Sequence, residues 1–142
     1  MFDVMDVLSQ GLSAARLRVN VLSSNIANAE TTRTAEGGPY KRKDVVQVAT
    51  TQQSSFSNVL DRMSLSAPSI MAVVEDQNPA KMVYQPGHPD ADTNGFVAMP
   101  NINVVTTMTD LMSASRLYQA NVTALESARR MIDDAQRISI RS

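Results

Sequence analysis

The chain has 142 residues, with 13 Lys and Arg against 14 Asp and Glu, no cysteine, no tryptophan and 4% aromatic residues. That length suits one modest domain or a helical unit with an insert, and the absent cysteine excludes disulfide scaffolds, thiol nucleophiles and thiolate metal sites. Balanced charge leaves no positive field to hold nucleic acid or an anionic membrane, and so few aromatic anchors favour elongated aliphatic and methionine packing over a compact enzyme core. No segment approaches the roughly 18–20 continuous apolar residues of a membrane span. Asp3 and Asp6 stand where a secretory signal would carry Lys or Arg, and no apolar run follows them. A cleavable signal is therefore not expected.

Residues 1–29 contain no proline, one glycine and a single aromatic, Phe2, and they predict a long N-terminal helix. Met5, Leu8, Leu12, Ala15, Val19, Leu22, Ile26 and Ala29 recur at spacings of 3, 4, 3, 4, 3, 4 and 3. Alternating threes and fours keep one apolar stripe facing a partner helix, as in a heptad seam. Asp3 is the expected N-cap, with Asp6 in the first turn, where negative charge suits the helix dipole.

Residues 30–101 hold all six prolines, four of the five glycines and four of the six aromatics, and read as an irregular insert with a small β-hairpin or sheet. Asp44–Thr51 alternates and is β-branched enough for a strand, Ile70–Glu75 can pair with it, and Lys81–Tyr84 and Phe96–Met99 are shorter candidates. Gln52–Ser69 is rich in Ser and Gln and reads as a loop, with a weak helix around Phe56–Met63. Gly37-Gly38-Pro39-Tyr40-Lys41-Arg42-Lys43 joins a glycine turn to a basic triplet. With a strand rather than a helix after it, this is a solvated loop able to touch an acidic neighbour, not a phosphate cradle.

From Asn103 onward there is neither glycine nor proline. Residues 102–142 predict a second, longer helix, capped by Asn103. Val104, Met108, Leu111, Ser115, Tyr118, Val122, Leu125 and Ile132 follow one heptad register. Ala114, Leu117, Ala124, Ala128, Met131, Ala135 and Ile138 follow a neighbouring one, so the apolar face is wide. Possible i,i+4 ion pairs are Glu126–Arg130, Arg129–Asp133, Arg130–Asp134 and Asp133–Arg137. The fold expected is mainly α: long terminal helices packed as a coiled-coil-like pair, with a small irregular or β-hairpin insert between them. A hairpin of two helices leaves the second stripe in water, and an exposed apolar strip of that length marks an interaction surface. Assembly with other chains is the expectation.

Chemistry finds little purchase. His88, Asp90 and Asp92 form the one cluster of metal-binding residue types, and alternate spacing in an extended chain would place all three on one side. No second histidine exists in the chain, and the favoured reading is a proline-stiffened turn whose carboxylates bond nearby backbone N–H groups. Asn121-Val122-Thr123 matches a glycosylation sequon but falls inside a predicted helix. No serine has a base partner or an elbow context for nucleophilic catalysis. An enzyme, a cofactor and a small-molecule substrate are not expected; a stand-alone coiled-coil adaptor is the main alternative to a subunit of a larger assembly, and a metal-dependent hydrolase on His88, Asp90 and Asp92 is a remote one.

Four motifs carry a resemblance. They are Ser24-Asn25-Ile26-Ala27-Asn28-Ala29; Pro39-Tyr40-Lys41-Arg42; Lys81 to Asp92 with Gly95-Phe96-Val97 and Pro100-Asn101; and Met112 to Val122. In this order and across nearly the whole chain, they resemble the bacterial flagellar rod and hook family of axial proteins, and the last two point to its proximal-rod branch. Gln52–Ser66 matches no motif of that family. The resemblance implies a non-enzymatic subunit of the basal-body rod, assembling with its own copies and other rod proteins into a helical tube that transmits torque and encloses an export channel. It also implies passage through the flagellar type III export apparatus, without a cleaved signal, to a rod crossing the periplasm. On this reading Met5, Leu8, Leu12, Val19, Leu22 and Ile26 pack against Met108, Leu111, Tyr118, Val122 and Leu125, within or between subunits. Met131 belongs to the same assembly surface. Asn25 and Asn28 are expected to end the first helix by adopting left-handed backbone.

Overall fold

The computed structural model describes residues 2–51 and 66–141, with side chains described over 5–48 and 72–137. In chain order the elements are α1 (Phe2–Ala27), β1 (Lys43–Thr51), β2 (Ser66–Glu75), β3 (Lys81–Tyr84), β4 (Phe96–Met99) and α2 (Val104–Arg141). The two long helices pack together, and the β1–β2 ribbon lies on α1. The strands form two separate antiparallel ribbons, β1–β2 and β3–β4, rather than one small sheet. The reading of Phe56–Met63 as a weak helix falls outside the described residues.

Helix α1 begins at Phe2, so Asp3 lies within the first turn instead of capping it. Asn103 does cap α2: its side-chain oxygen accepts from the Thr106 N–H at 3.2 Å, the N3 position expected of an N-cap. Small residues set the helix–helix contact. Ala14, Ala15 and Ala114 are buried with Leu22, and their short side chains let the two backbones approach closely.

Ser66–Ser69, expected as the end of a loop, extend β2 instead. Thr51 pairs with Ser66 and Ala49 with Pro68. A proline is admissible there because each strand of a two-stranded ribbon is an edge, where a missing N–H leaves no ladder bond broken. The register slips between Val46 and Gln47, which face Ala72 and Ile70 respectively, so Met71 is the extra residue of a β-bulge. At the ribbon's base the basic triplet meets acidic partners. Lys41 and Lys43 approach Glu75 at 4.0 and 3.8 Å, and Arg42 approaches Asp44 at 2.8 Å and Asp76 at 3.6 Å. The exposed pairs among these, to Glu75 and Asp44, contribute about 0–1 kcal/mol each, so they favour the register more than they stabilise the fold, whereas the Asp76 side chain in its pair with Arg42 is only 11% exposed.

The junction between α1 and β1 is built differently. Asn25 is only 1% exposed. Its Nδ2 donates to the Lys43 carbonyl at 2.7 Å, and its Oδ1 accepts from the Lys43 N–H at 2.9 Å and from the Tyr40 hydroxyl at 3.2 Å. The Ser24 hydroxyl lies 3.3 Å from the same tyrosine oxygen. Asn25 is thus inside the helix, not at its end, and among the described residues only Gly37, Gly38 and Gly95 have positive φ. The expected left-handed asparagines are therefore absent: Asn25 is held by Lys43, and Asn28 ends the helix by donating from Nδ2 to the Ser24 carbonyl at 2.8 Å.

In the β3–β4 ribbon, Tyr84 and Phe96 stack edge to face with ring centres 5.3 Å apart. Gly95 turns the chain with φ of +81°, and a Cβ there would stand 2.9 Å from Tyr84 Cε2. A contact between Asp90 Oδ2 and the Thr32 hydroxyl, 2.8 Å, ties the loop of this ribbon to the segment following α1.

Substitutions at Asn25 and at Gly95 test these joints. Asn25→Ala leaves both backbone groups of Lys43 without their partner and should weaken protection of the Lys43 amide in hydrogen exchange by about 2–4 kcal/mol. Asn25→Asp keeps an acceptor for the Lys43 N–H but cannot donate to the Lys43 carbonyl, so it should retain more of that protection than Asn25→Ala; unchanged protection in Asn25→Ala would refute the clamp. Gly95→Ala should cost at least about 1–2 kcal/mol from the left-handed backbone alone, whereas Gly87→Ala, with open space at its Cβ, should be close to neutral in the same thermal melt.

Candidate assembly interface

Helix α2 presents three distinct longitudinal faces. At about 100° per residue, Thr107, Leu111, Ala114, Tyr118, Val122, Leu125 and Ile132 share the covered face; Thr107 and Ala114 are buried and the others half-buried. The covered face lies between the two stripes read from the sequence, because Ala114 comes from one of them and Leu111 from the other. On one flank stand Val105, Met108 and Met112, 75%, 52% and 59% exposed. On the opposite flank stand Leu117, Ala124 and Met131, all exposed.

The residues singled out from the sequence therefore divide. On α1, Leu22 and Asn25 are buried, and Met5, Leu8, Leu12, Val19, Ile26 and the adjoining Asn28 are half-buried. On α2, Leu111, Tyr118, Val122 and Leu125 are half-buried, while Met108 and Met131 face solvent. Periodicity did not single out Ala14, which lies off the seam but is 3% exposed. Nor did it connect Tyr40 and Lys43 with Asn25. The sequence signal for that contact was the presence of Asn25 and Tyr40 in two separate motifs, and the fold brings those motifs together.

The outer surface of α2 is chemically prepared for burial. Thr109, Ser113, Thr123 and Ser127 are exposed, yet each hydroxyl donates to the carbonyl four residues earlier, at 2.9–3.1 Å. A hydroxyl whose proton is already bonded to its own helix can enter a dry interface without leaving an orphaned donor. Toward the C-terminal end, Asp133 through Arg137 are all exposed, so no face of that stretch is covered by the other described residues. Of the four anticipated i,i+4 pairs, Glu126–Arg130 closes, at 3.9 Å, and it is the one that does so among the described residues.

The His88, Asp90 and Asp92 segment is occupied with turn bonding. His88 Nδ1 accepts from the Asp90 N–H at 3.1 Å. Asp92 Oδ1 accepts from the Asn94 and Phe96 N–H groups, both at 2.8 Å. Asp90 bonds Thr32 and lies 3.9 Å from Arg33. His88 and Asp92 bond the loop itself and Asp90 bonds the segment after α1, and the three do not form a metal-binding group among the described residues. Among the described residues, no helix is long and apolar enough to cross a membrane.

Comparison with known proteins agrees with this layout of paired terminal helices around an insert. Residues 5–33 match the family described as flagella basal body rod protein, and residues 93–138 match that described as flagellar basal body rod FlgEFG protein C-terminal. The two matches cover most of α1 and of α2. Across the intervening segment, the chain is similar to whole proteins. It is 39% identical to the flagellar basal-body rod protein FlgC of Salmonella typhimurium, covering 93% of this chain and 92% of that protein. It is 37% identical to FlgC of Borreliella burgdorferi, over 95% of both chains, and 37% identical to FlgC of Bacillus subtilis, over 96% and 97%. Identity at this level from end to end places the chain in a family, and that family is the FlgC group of flagellar basal-body rod proteins.

Proposed function

We propose that the chain is a structural subunit of the flagellar basal-body rod, built into the proximal part of the shaft beside copies of itself and other rod proteins. Family membership supports the rod, and the uncovered flanks of α2 support the manner of assembly. The observation that carries most weight is the exposure of large apolar side chains on both sides of the α1-covered face. A helix apolar on three faces needs more than one neighbour, and a helical array of subunits supplies neighbours on several sides.

On this reading residues 1–29 and 102–142 form the axial helical unit, and residues 30–101 form the insert carried on it. Met5, Leu8, Leu12, Val19, Leu22, Ile26, Leu111, Tyr118, Val122 and Leu125 hold the helices together within the subunit. Met108 and Met131 face adjoining subunits, and Asn25 and Asn28 fix how the insert leaves the helical unit. Stacked in a tube, such units would carry torque along the shaft and leave an axial channel. Delivery through the flagellar export apparatus to a rod crossing the periplasm goes with this reading of the chain as a rod subunit.

Two measurements test the proposal. The isolated chain should melt broadly, with a midpoint that rises with protein concentration, because its apolar flanks are covered only by neighbours; a sharp, concentration-independent transition of a monomer would count against it. Met112→Asp should leave the circular-dichroism spectrum of the isolated chain unchanged, since the side chain is exposed there, yet abolish swimming and recovery of the chain in purified basal bodies. Leu22→Asp should lose both, because a charge at a buried seam position is costly within the subunit itself. Normal motility of the Met112→Asp strain would exclude that flank from the interface.

A further inference from the structure

An apolar groove of about 310 Å³ runs between α1, α2 and β1, with Val7, Leu8, Gly11, Ala114, Leu117 and Arg18 among its lining residues. Gly11 contributes no side chain to its wall. The same chain has a segment without a bed. Helix α2 has 38 residues against 26 in α1, so it exceeds α1 by twelve residues, about 18 Å of helix, and Ile132 is its last half-buried residue among the described side chains. The unbroken exposure of Asp133–Arg137 fits that overhang.

Groove and overhang share one flank of α2. Leu117 lines the groove, and Ala124 and Met131 continue its flank out along the helix, Met131 being 67% exposed. Charges match as well. Arg18 is exposed among the groove residues, while Asp134 lies next to Met131 on the helix surface, three residues on. Neither forms an ion pair among the described residues. We propose that the groove of one copy receives the α2 overhang of a second copy, with Met131 entering beside Val7 and Gly11 and Asp134 meeting Arg18. The inference rests on the reading of this chain as a rod subunit and specifies which patch meets which. Because the two patches differ, the contact is heterologous and repeats head to tail, the kind of contact that generates an open array instead of a closed dimer. Methionine suits the entering position, since its unbranched, polarizable side chain fills irregular space.

The absence of native cysteine makes the test direct. Full-length Val7→Cys and Met131→Cys chains, mixed at high concentration and mildly oxidised, should give a covalent dimer joining one of each, and either variant alone should give far less. Arg18→Asp in the Val7→Cys chain should lower that yield by about tenfold, and Asp134→Arg in the Met131→Cys chain should restore it. Equal dimer from one variant alone, no rescue by the charge swap, or cross-linking only to a different rod protein would each overturn the proposal. The rod assignment fails separately. It fails if the unmodified chain is missing from purified basal bodies, whereas Arg18→Asp chains recovered there at the normal level would overturn the groove contact and leave the assignment standing.

Discussion

Everything about how the insert sits on the helical unit depends on one side-chain amide. Asn25 offers Lys43 both a donor and an acceptor, the pair of bonds that a neighbouring strand would otherwise supply. It does so from the last turn of α1, so the joint forms where the helix ends and the insert begins. The start of β1 is fixed relative to α1 in both position and angle, with Tyr40 closing the remaining lone pair on Oδ1. A buried amide satisfied on both sides is stabilising and specific, and the same amide with one partner missing would be a liability. The ion pairs at the base of the ribbon then refine an arrangement that the amide has already set.

That polar joint stands beside an apolar core whose buried members, among the described residues, are mostly alanines, joined by Leu22 and Val97. Alanines bring helices close but remove little apolar area from water, so they add modestly to stability. The larger side chains that would ordinarily fill a core stand outside, as Val105, Met108, Met112, Leu117 and Met131 do on α2. The subunit is thus specified internally by close backbone approach and hydrogen bonding, with much of its hydrophobic potential facing outward. Such a division suits a part that is completed by its neighbours.

The elements were legible in the sequence where the signal was local. Heptad spacing from Met5 to Ala29 and the absence of glycine and proline after Asn103 recovered both helices to within a few residues, and β-branched runs recovered the strands. What stayed hidden was mostly long-range. The first heptad register on α2 reads as the face that packs on α1; Leu111, Tyr118, Val122 and Leu125 are half-buried there, but the placement of α1 turns Met108 outward and Ala114, from the second register, inward. Asn25 looked like a helix terminator because asparagine tolerates left-handed backbone, but its partner is Lys43, eighteen residues away, and a tertiary hydrogen bond outweighed the local preference. The pairing of Asp44–Thr51 with Ile70–Glu75 was legible, but strand propensity left open whether the shorter strands join that hairpin in a sheet, and they form a ribbon of their own. The motifs of the family contained this information in a compressed form: Asn25 and Tyr40 belong to separate motifs and meet in space.

The choice of methionine on the outer surface follows from geometry. In a helical array built from several kinds of subunit, one copy meets different neighbours on its different sides, and the same patch can meet unlike partners at successive levels of the shaft. A β-branched or aromatic side chain demands one complementary shape, whereas methionine has three rotatable bonds and a soft sulfur, and it adapts to several. Met108, Met112 and Met131 hold the outer positions of α2, and the nearby hydroxyls bond their own helix so that they require nothing from an incoming surface. Near-neutral charge, 13 basic against 14 acidic residues, removes the repulsion that would oppose close stacking of many copies. Shape tolerance outside and a rigid amide joint inside are complementary requirements: the surface can adjust to each neighbour only because the placement of the insert on the helical unit does not.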